Sequence, residues 1–384
     1  MTTTAFVDRQ GLAGYDLGAD HPLSPVNREL AIDLIRAYGL LDRPDVTVIP
    51  PRAVDDDVIA RVHTEAYIQA VKRYGANPTL AAGFEAGVWG LAHGGDTPAF
   101  AGMHEAAAAV CGASVTAAME VWEGRATRVL SVAGGLHHAF ANRANGFCIY
   151  NDAAVAIQAL LDAGAERIAY VDVDVHHGDG TQFIFFEDPR VLTCSVHESG
   201  RYLFPGTGGL AERGVGPGIG TAINIPLPAF SGDVPYLRAV EEVIVPAVVH
   251  FEPDVIVTQD GVDPHHQDPL AHLQVRMHAF PRLWRVLHDL ADQVASGRWV
   301  ALGGGGYNVD VLPRAWALLF AEMTGAALPE DLPTAWLALA HERTGQEFTA
   351  RLMDDPEPEA PAEDCARADA EGHEVVDEAL EMLQ

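Results

Sequence analysis

Between residues 128 and 302 the chain repeats one pattern. A short run of β-branched and apolar residues stops at glycine or at polar residues, and a longer stretch follows in which apolar residues recur every three to four positions. The runs 128–133, 167–173, 191–196, 254–259 and 299–302 predict buried strands, and the stretches 104–123, 152–163, 236–250 and 280–295 predict helices. Alternation of this kind points to an α/β fold: a single three-layer domain with a mainly parallel central sheet and helices on both faces. A length of 384 residues would allow two domains, yet between residues 20 and 350 there is no linker-like change of composition and no internal repeat. Hydrophobic residues at 48% and 37 glycines suit a large core with many tight turns.

Charge narrows the partners. The formal net charge is −30, from 54 acidic and 24 basic residues, so a duplex or an anionic membrane surface is repelled and neither nucleic acid nor membrane is expected. Residues 354–384 hold twelve of the acids and one arginine, which leaves 42 acids against 23 bases ahead of them. The acidity is therefore general; it suits a cationic substrate and also plain solubility. Four scattered cysteines, Cys111, Cys148, Cys194 and Cys365, form no Cys-x-x-Cys pair and no dense disulfide spacing, which fits a reducing compartment. Residues 1–20 lack a basic segment followed by an apolar core, and the longest apolar stretches are broken by charge or proline, so a cytoplasmic protein is expected. The tail reads differently from the body: 354–369, rich in Pro, Ala and acid, is expected to be disordered, and 375–383 to form a short amphipathic helix.

Four strand ends carry the chemistry, and open parallel sheets bind ligands at the carboxyl ends of their strands. In YVDVDVHHGDG, residues 170–180, strand alternation puts Asp172, Asp174 and His176 on one side and three valines on the other. Three such groups are costly in a buried strand unless something cationic satisfies them, and a metal does so. A solvated or salt-bridged strand end is the plainer alternative, but lysines and arginines are scarce nearby. AGGLHHA, residues 133–139, places His137 and His138 after two glycines; alone, such a pair is as readily a satisfied feature of a helix start. QDGVDPHHQDPL, residues 259–270, offers Asp263 just past an apolar run, and GGGGY ends at Tyr307. A bare glycine run is usually a turn, so the weight of the tyrosine comes from its company.

These four segments, in this order, resemble the histone deacetylase family of the arginase-deacetylase fold. The resemblance runs over roughly residues 20–325. It includes GFCIYND at 146–152 and LFPGTG at 203–208, while HPL at 21–23, YGLL at 38–41 and HESG at 197–200 are similar to the bacterial acetoin-utilisation branch. It implies a deacetylase domain over 1–353, with zinc, or iron(II) in the cell, held by Asp174, His176 and Asp263. It further implies His137 and His138 beside the attacking water, oriented by Asp172 and Asp179, with Tyr307 opposite. Phe147 and Phe204 would wall a narrow apolar tunnel, with Gly146 beside them and Leu270 at the rim, and Asp96 would grip the substrate backbone. A structural potassium ion would sit at Asp172, Asp174, His176, Ser195 and Val196. One departure is that the family's arginine, six residues past the histidine of its His-Pro pair, falls here on Asn27, with Arg28 next, which puts in doubt the internal passage for acetate.

Two carboxylates and an imidazole give zinc a formally neutral ligand set, so a nearby base is needed to activate water. The expected reaction is hydrolysis of the amide of an acetylated amine, acetyl-lysine in a protein or a small acetylated amine such as a polyamine. Two rivals share part of this sequence: a binuclear manganese ureohydrolase, for which Tyr307 has no role, and an inactive acyl-lysine binding module, which needs neither histidine. Cys148 reads as a small core residue. Deleting 354–384 is expected to leave turnover intact.

Overall fold

The computed structural model describes residues 3–8 and 14–383; Met1, Thr2, residues 9–13 and Gln384 lie outside it, and with them part of the 1–20 stretch read for a leader. Its centre is a sheet of eight strands: β1 Thr4–Val7, β2 Val46–Ile49, β3 Arg128–Ser131, β4 Ile168–Asp172, β5 Val191–Glu198, β6 Ala222–Leu227, β7 Val255–Gln259 and β8 Trp299–Leu302. The order is β2-β1-β3-β8-β7-β4-β5-β6, and every pairing is parallel. Each residue of β3, β4, β5, β7 and β8 is buried, which is why these strands read as unbroken apolar runs rather than alternating ones.

The helices that matter for the site are α1 Pro25–Ala37, α2 Met103–Trp122, α3 Asp152–Asp162, α4 Asp179–Ile184, α5 Ala279–Val294, α6 Val311–Thr324 and α7 Ala362–Leu383. Ser24 caps α1 by accepting the Val26 N–H, and a proline occupies the first turn, where its missing N–H costs nothing. The helix expected over 236–250 spans more, from Asp233–Arg238 to Val245–Phe251, with a π-helical stretch, Ala239–Ile244, between them. Pro246, which has no N–H to donate, falls at the second join. Strands β1, β2 and β6 and helices α1, α4 and α6 are additions to the sequence reading.

The tail departs from its expected disorder. Residues 362–383 form one 22-residue helix, α7, whose buried Ala368, Gly372, Val376 and Ala379 make a stripe at three- to four-residue spacing. The Gly232 N–H donates to Asp369 Oδ1 at 2.8 Å, and Arg238 Nη2 donates to Asp377 Oδ1 at 2.6 Å. Gly372 allows the close approach of the Asp233–Arg238 helix, since a Cβ there would stand 2.9 Å from Pro235 Cβ. Acid-rich composition concealed a small apolar stripe of alanine, glycine and valine. Among the described residues no helix is long and apolar enough to cross a membrane.

Candidate active site

Parallel strands place all their carboxyl ends on one edge, and the sheet order sets β3, β8, β7 and β4 side by side. The four loaded loops therefore meet. After β4 and β7 the chain brings Asp174, His176 and Asp263 together: His176 Nδ1 lies 3.1 Å from Asp174 Oδ1 and 3.2 Å from Asp263 Oδ2, and one ligand atom from each falls within 4.8 Å of the others. The free oxygens are already held. Asp174 Oδ2 accepts from Gln259 Nε2 and from the Gly305 N–H, both at 2.7 Å, and Asp263 Oδ1 accepts the Val175 N–H at 2.9 Å. Gly305 and Gly261 pack so closely on these carboxylates that a Cβ at either would collide with them.

The electrostatics fit a cation. Burial, then the charge of Asp174, pushes Asp263 up to about 8. His176 stands well above its ordinary value because Asp174 and Asp263 outweigh its own burial. Two buried carboxylates this close cannot both ionise without positive charge between them, and a divalent ion supplies it where a proton otherwise must.

The glycine turn after β3 carries the histidine pair. Asp152, at the start of α3, accepts the Gly135 N–H at 3.0 Å, the Leu136 N–H at 2.8 Å and the Ser114 hydroxyl at 2.5 Å. Its neighbour Asn151 donates to the carbonyls of His137 and Ala139. Thus fixed, His137 Nδ1 donates to Asp172 Oδ2 and His138 Nδ1 to Asp179 Oδ1, each at 2.7 Å, with the two Nε2 atoms 3.0 Å apart. Burial alone would lower both rings. For His137 the charges of Asp172 and Asp174 win and raise it to about 9, whereas His138, beside His137 and His176, is driven well below the usual value. Tyr307 is held by its N–H, which donates to Asp268 Oδ2 at 2.8 Å; burial and the nearby Asp263 and Asp174 keep its phenol protonated.

Above these groups opens a cavity of about 280 Å³ lined by Asp96, His138, Gly146, Phe147, His176, Leu203, Phe204, Leu270 and Tyr307. All five expected substrate residues are in this wall. Leu203 is an addition; it sits in LFPGTG, but an apolar loop residue carries no signal of its own. Phe147 holds a left-handed backbone, φ 70°, rare for a side chain of this size. Its N–H donates to Thr97 Oγ1 at 2.9 Å and its carbonyl accepts from the Tyr15 hydroxyl at 2.7 Å, which is what keeps the ring in the wall. Asp96 Oδ2 accepts the Gly146 N–H at 3.2 Å.

Behind the histidines lie two small hollows, and Arg28 borders both. It is buried, with Nη2 donating to the Gly304 carbonyl at 3.3 Å and Nε unpartnered. The register of α1 thus turns Arg28, the residue after Asn27, toward the site. For the expected potassium group, β4 and β5 pair Asp172 with Ser195, Val196 is fully buried, and the Ser195 hydroxyl lies 2.8 Å from His197 Nδ1.

An all-parallel α/β sheet with a buried carboxylate–imidazole–carboxylate group at its strand tips, under an aromatic-walled cavity, describes a protein whose strand ends form a group able to hold a metal ion. Sequence comparison supplies the family: the model described as the histone deacetylase domain matches residues 21–323. The chain belongs to the histone deacetylase family. It is 43% identical over 338 residues to the acetoin utilization protein AcuC of Bacillus subtilis, covering 88% of this chain and 86% of that one. It is also 37% identical to AcuC of Staphylococcus xylosus, covering 87% and 86%, and 35% identical to AcuC of Staphylococcus aureus strain MRSA252, covering 88% and 86%.

Proposed function

We propose that this chain is a zinc-dependent deacetylase that hydrolyses the amide of an acetylated amine, acetyl-lysine in a protein foremost, releasing acetate and the free amine. One observation carries the reading: a single cavity is lined at once by the metal-type ligand His176, the imidazole His138 and the phenol Tyr307, between two phenylalanines. Asp174, His176 and Asp263 would hold the ion, zinc or iron(II), which when bound acts as a Lewis acid on the amide carbonyl and on water. A potassium ion beside Asp172, Asp174, His176, Ser195 and Val196 is part of the same proposal.

The chain's own groups divide the remaining work. His138 spends Nδ1 on Asp179 and lines the cavity as a neutral ring, so its Nε2 takes the proton of the attacking water and returns it to the leaving amine. His137, tied to Asp172, remains cationic beside it. The Tyr307 hydroxyl, kept protonated, donates to the carbonyl oxygen as that atom gains charge. Phe147 and Phe204 hold the methylenes of the substrate and exclude water, Asp96 meets its backbone at the mouth, and the buried Arg28 receives acetate behind the site. The ureohydrolase reading asks for a second ion sharing these ligands; among the described residues the other three-ligand group, His265, His266 and Asp355, has none of them in common.

The test is a fluorogenic acetyl-lysine peptide assay on zinc-reconstituted protein, with zinc counted per chain. Tyr307→Phe should lower kcat by about 10²–10³-fold with little change in KM. Equal turnover by wild type and variant rejects the assignment.

A further inference from the structure

The matched domain ends at residue 323, yet the chain beyond it returns to the active-site loops. Arg314, wholly buried on α6, donates through Nη1 to the carbonyls of Leu352, at 3.1 Å, and Asp354, at 2.6 Å, while Nη2 holds Asp310. So anchored, the next residue turns its carboxylate into the loop after β7. Asp355 Oδ1 accepts from His266 Nε2 at 2.7 Å and lies 3.3 Å from His265 Nε2; Oδ2 accepts the Met277 N–H at 2.8 Å. The loop it grips has a function on either side. Asp263 lies two residues before His265, and Asp268, two residues after His266, accepts the N–H groups of both Tyr307 and Leu270.

We propose that Asp355 is a positioning residue for the active site: a strap from the C-terminal segment that fixes the loop of Asp263 and Asp268, and through it the metal affinity of the Asp174, His176 and Asp263 group. The inference rests on reading that group as the metal centre. His265, His266 and Asp355 also lie close enough to hold an ion themselves. Two observations favour the strap. The Gln267 N–H donates to His265 Nδ1 at 3.2 Å, which favours the ring proton on Nε2, 3.3 Å from Asp355 Oδ1, and in that tautomer Nε2 offers no lone pair to an ion. The Arg276 guanidinium stands 3.7 Å from the same carboxylate, so its charge has a partner without a metal ion.

The experiment uses the full chain with zinc, its affinity read by competition with a chromophoric chelator, alongside kcat, KM and thermal unfolding. Asp355→Ala should weaken zinc binding by about tenfold, the lower end of what outer partners of metal ligands contribute, with kcat at saturating zinc down by about threefold and KM unchanged. His266→Phe, which keeps the bulk, should give the same loss, and the double variant no more than either single one. Asp355→Asn, which retains an oxygen for His266, should recover most of the affinity. Normal zinc affinity in folded Asp355→Ala or His266→Phe overturns the strap alone. A second zinc equivalent that Asp355→Ala removes also overturns it, by making Asp355 a ligand. Failure of the wild type to take up zinc overturns the metal-centre reading and the strap with it.

Discussion

Three pairs of adjacent histidines follow strands of the same sheet; setting aside His176 with His177 after β4, which includes one of the three grouped candidate ligands, the other two are His137 with His138 after β3 and His265 with His266 after β7, and every one of these four is buried or nearly so. They differ in which nitrogen is committed. In the first pair each ring gives Nδ1 to its own carboxylate, Asp172 or Asp179, and keeps Nε2 for the site. In the second pair both Nε2 atoms converge on one carboxylate, Asp355, and His265 Nδ1 is taken by a backbone N–H. An imidazole works as a base through a nitrogen that no carboxylate holds, and the Nε2 atoms of the first pair face each other 3.0 Å apart beside the cavity, so the first arrangement serves chemistry and the second serves anchoring.

Substituting one member of each pair gives the largest contrast. His138→Ala should lower kcat by about 10²–10⁴-fold, the usual range for a lost general base, whereas His266→Phe at saturating zinc should cost only the few-fold of its anchoring role. Peptide turnover measured side by side decides it, and comparable losses at both positions would end the distinction between working and anchoring pairs.

A smaller effect should come from the support of the first pair. Asp152 is fully buried and closes the Gly135–Leu136 turn with two backbone hydrogen bonds. Asp152→Ala strands both N–H groups, at about 1–3 kcal/mol for each unsatisfied donor, so urea unfolding should show a loss of several kcal/mol. Turnover should fall more than zinc affinity does, the reverse of Asp355→Ala, because the turn carries His137 and His138 and no metal ligand.

The four strand-tip loops are legible in the sequence because each sets polar residues directly after a buried apolar run, and a parallel sheet allows only one edge for them to share. That logic singles out Asp172, Asp174, His176 and Asp263 as candidates, while the choice of three of them as a ligand set, like the cavity wall, comes from the resemblance. What is not legible depends on long-range placement. Asp152 enters the sequence reading only as the start of a predicted helix, and only the fold shows that it holds the histidine turn. Arg28 needs the rotation of α1, and Asp355 reaches His266 across 89 residues from a segment whose composition reads as disordered. Phe147 in left-handed backbone has no signature at all, since the strain is set by Thr97 and Tyr15.

The finest division lies within the tail itself. The strap ends at Asp355, whereas α7 begins at Ala362 and packs through Ala368, Gly372, Val376 and Ala379 near β6, which among the described residues pairs with β5 alone and so forms one edge of the sheet. A chain ending at Pro361 should keep zinc affinity and turnover within about twofold, since the outer contacts typical of metal sites stay in place. Loss of the buried stripe should cost about 2–4 kcal/mol by the area it returns to water, seen as a lower unfolding temperature and, with the β6 edge uncovered, a greater tendency to aggregate. A chain ending at Met353 should lose more stability, since the buried Arg314 gives up the Asp354 carbonyl, and should show in addition the about tenfold weaker zinc binding expected when an outer support is gone. That outcome departs from the sequence-based expectation that residues 354–384 are dispensable for turnover. If the two truncations bind zinc equally well, the anchoring role of the His265 and His266 pair has no support from the tail.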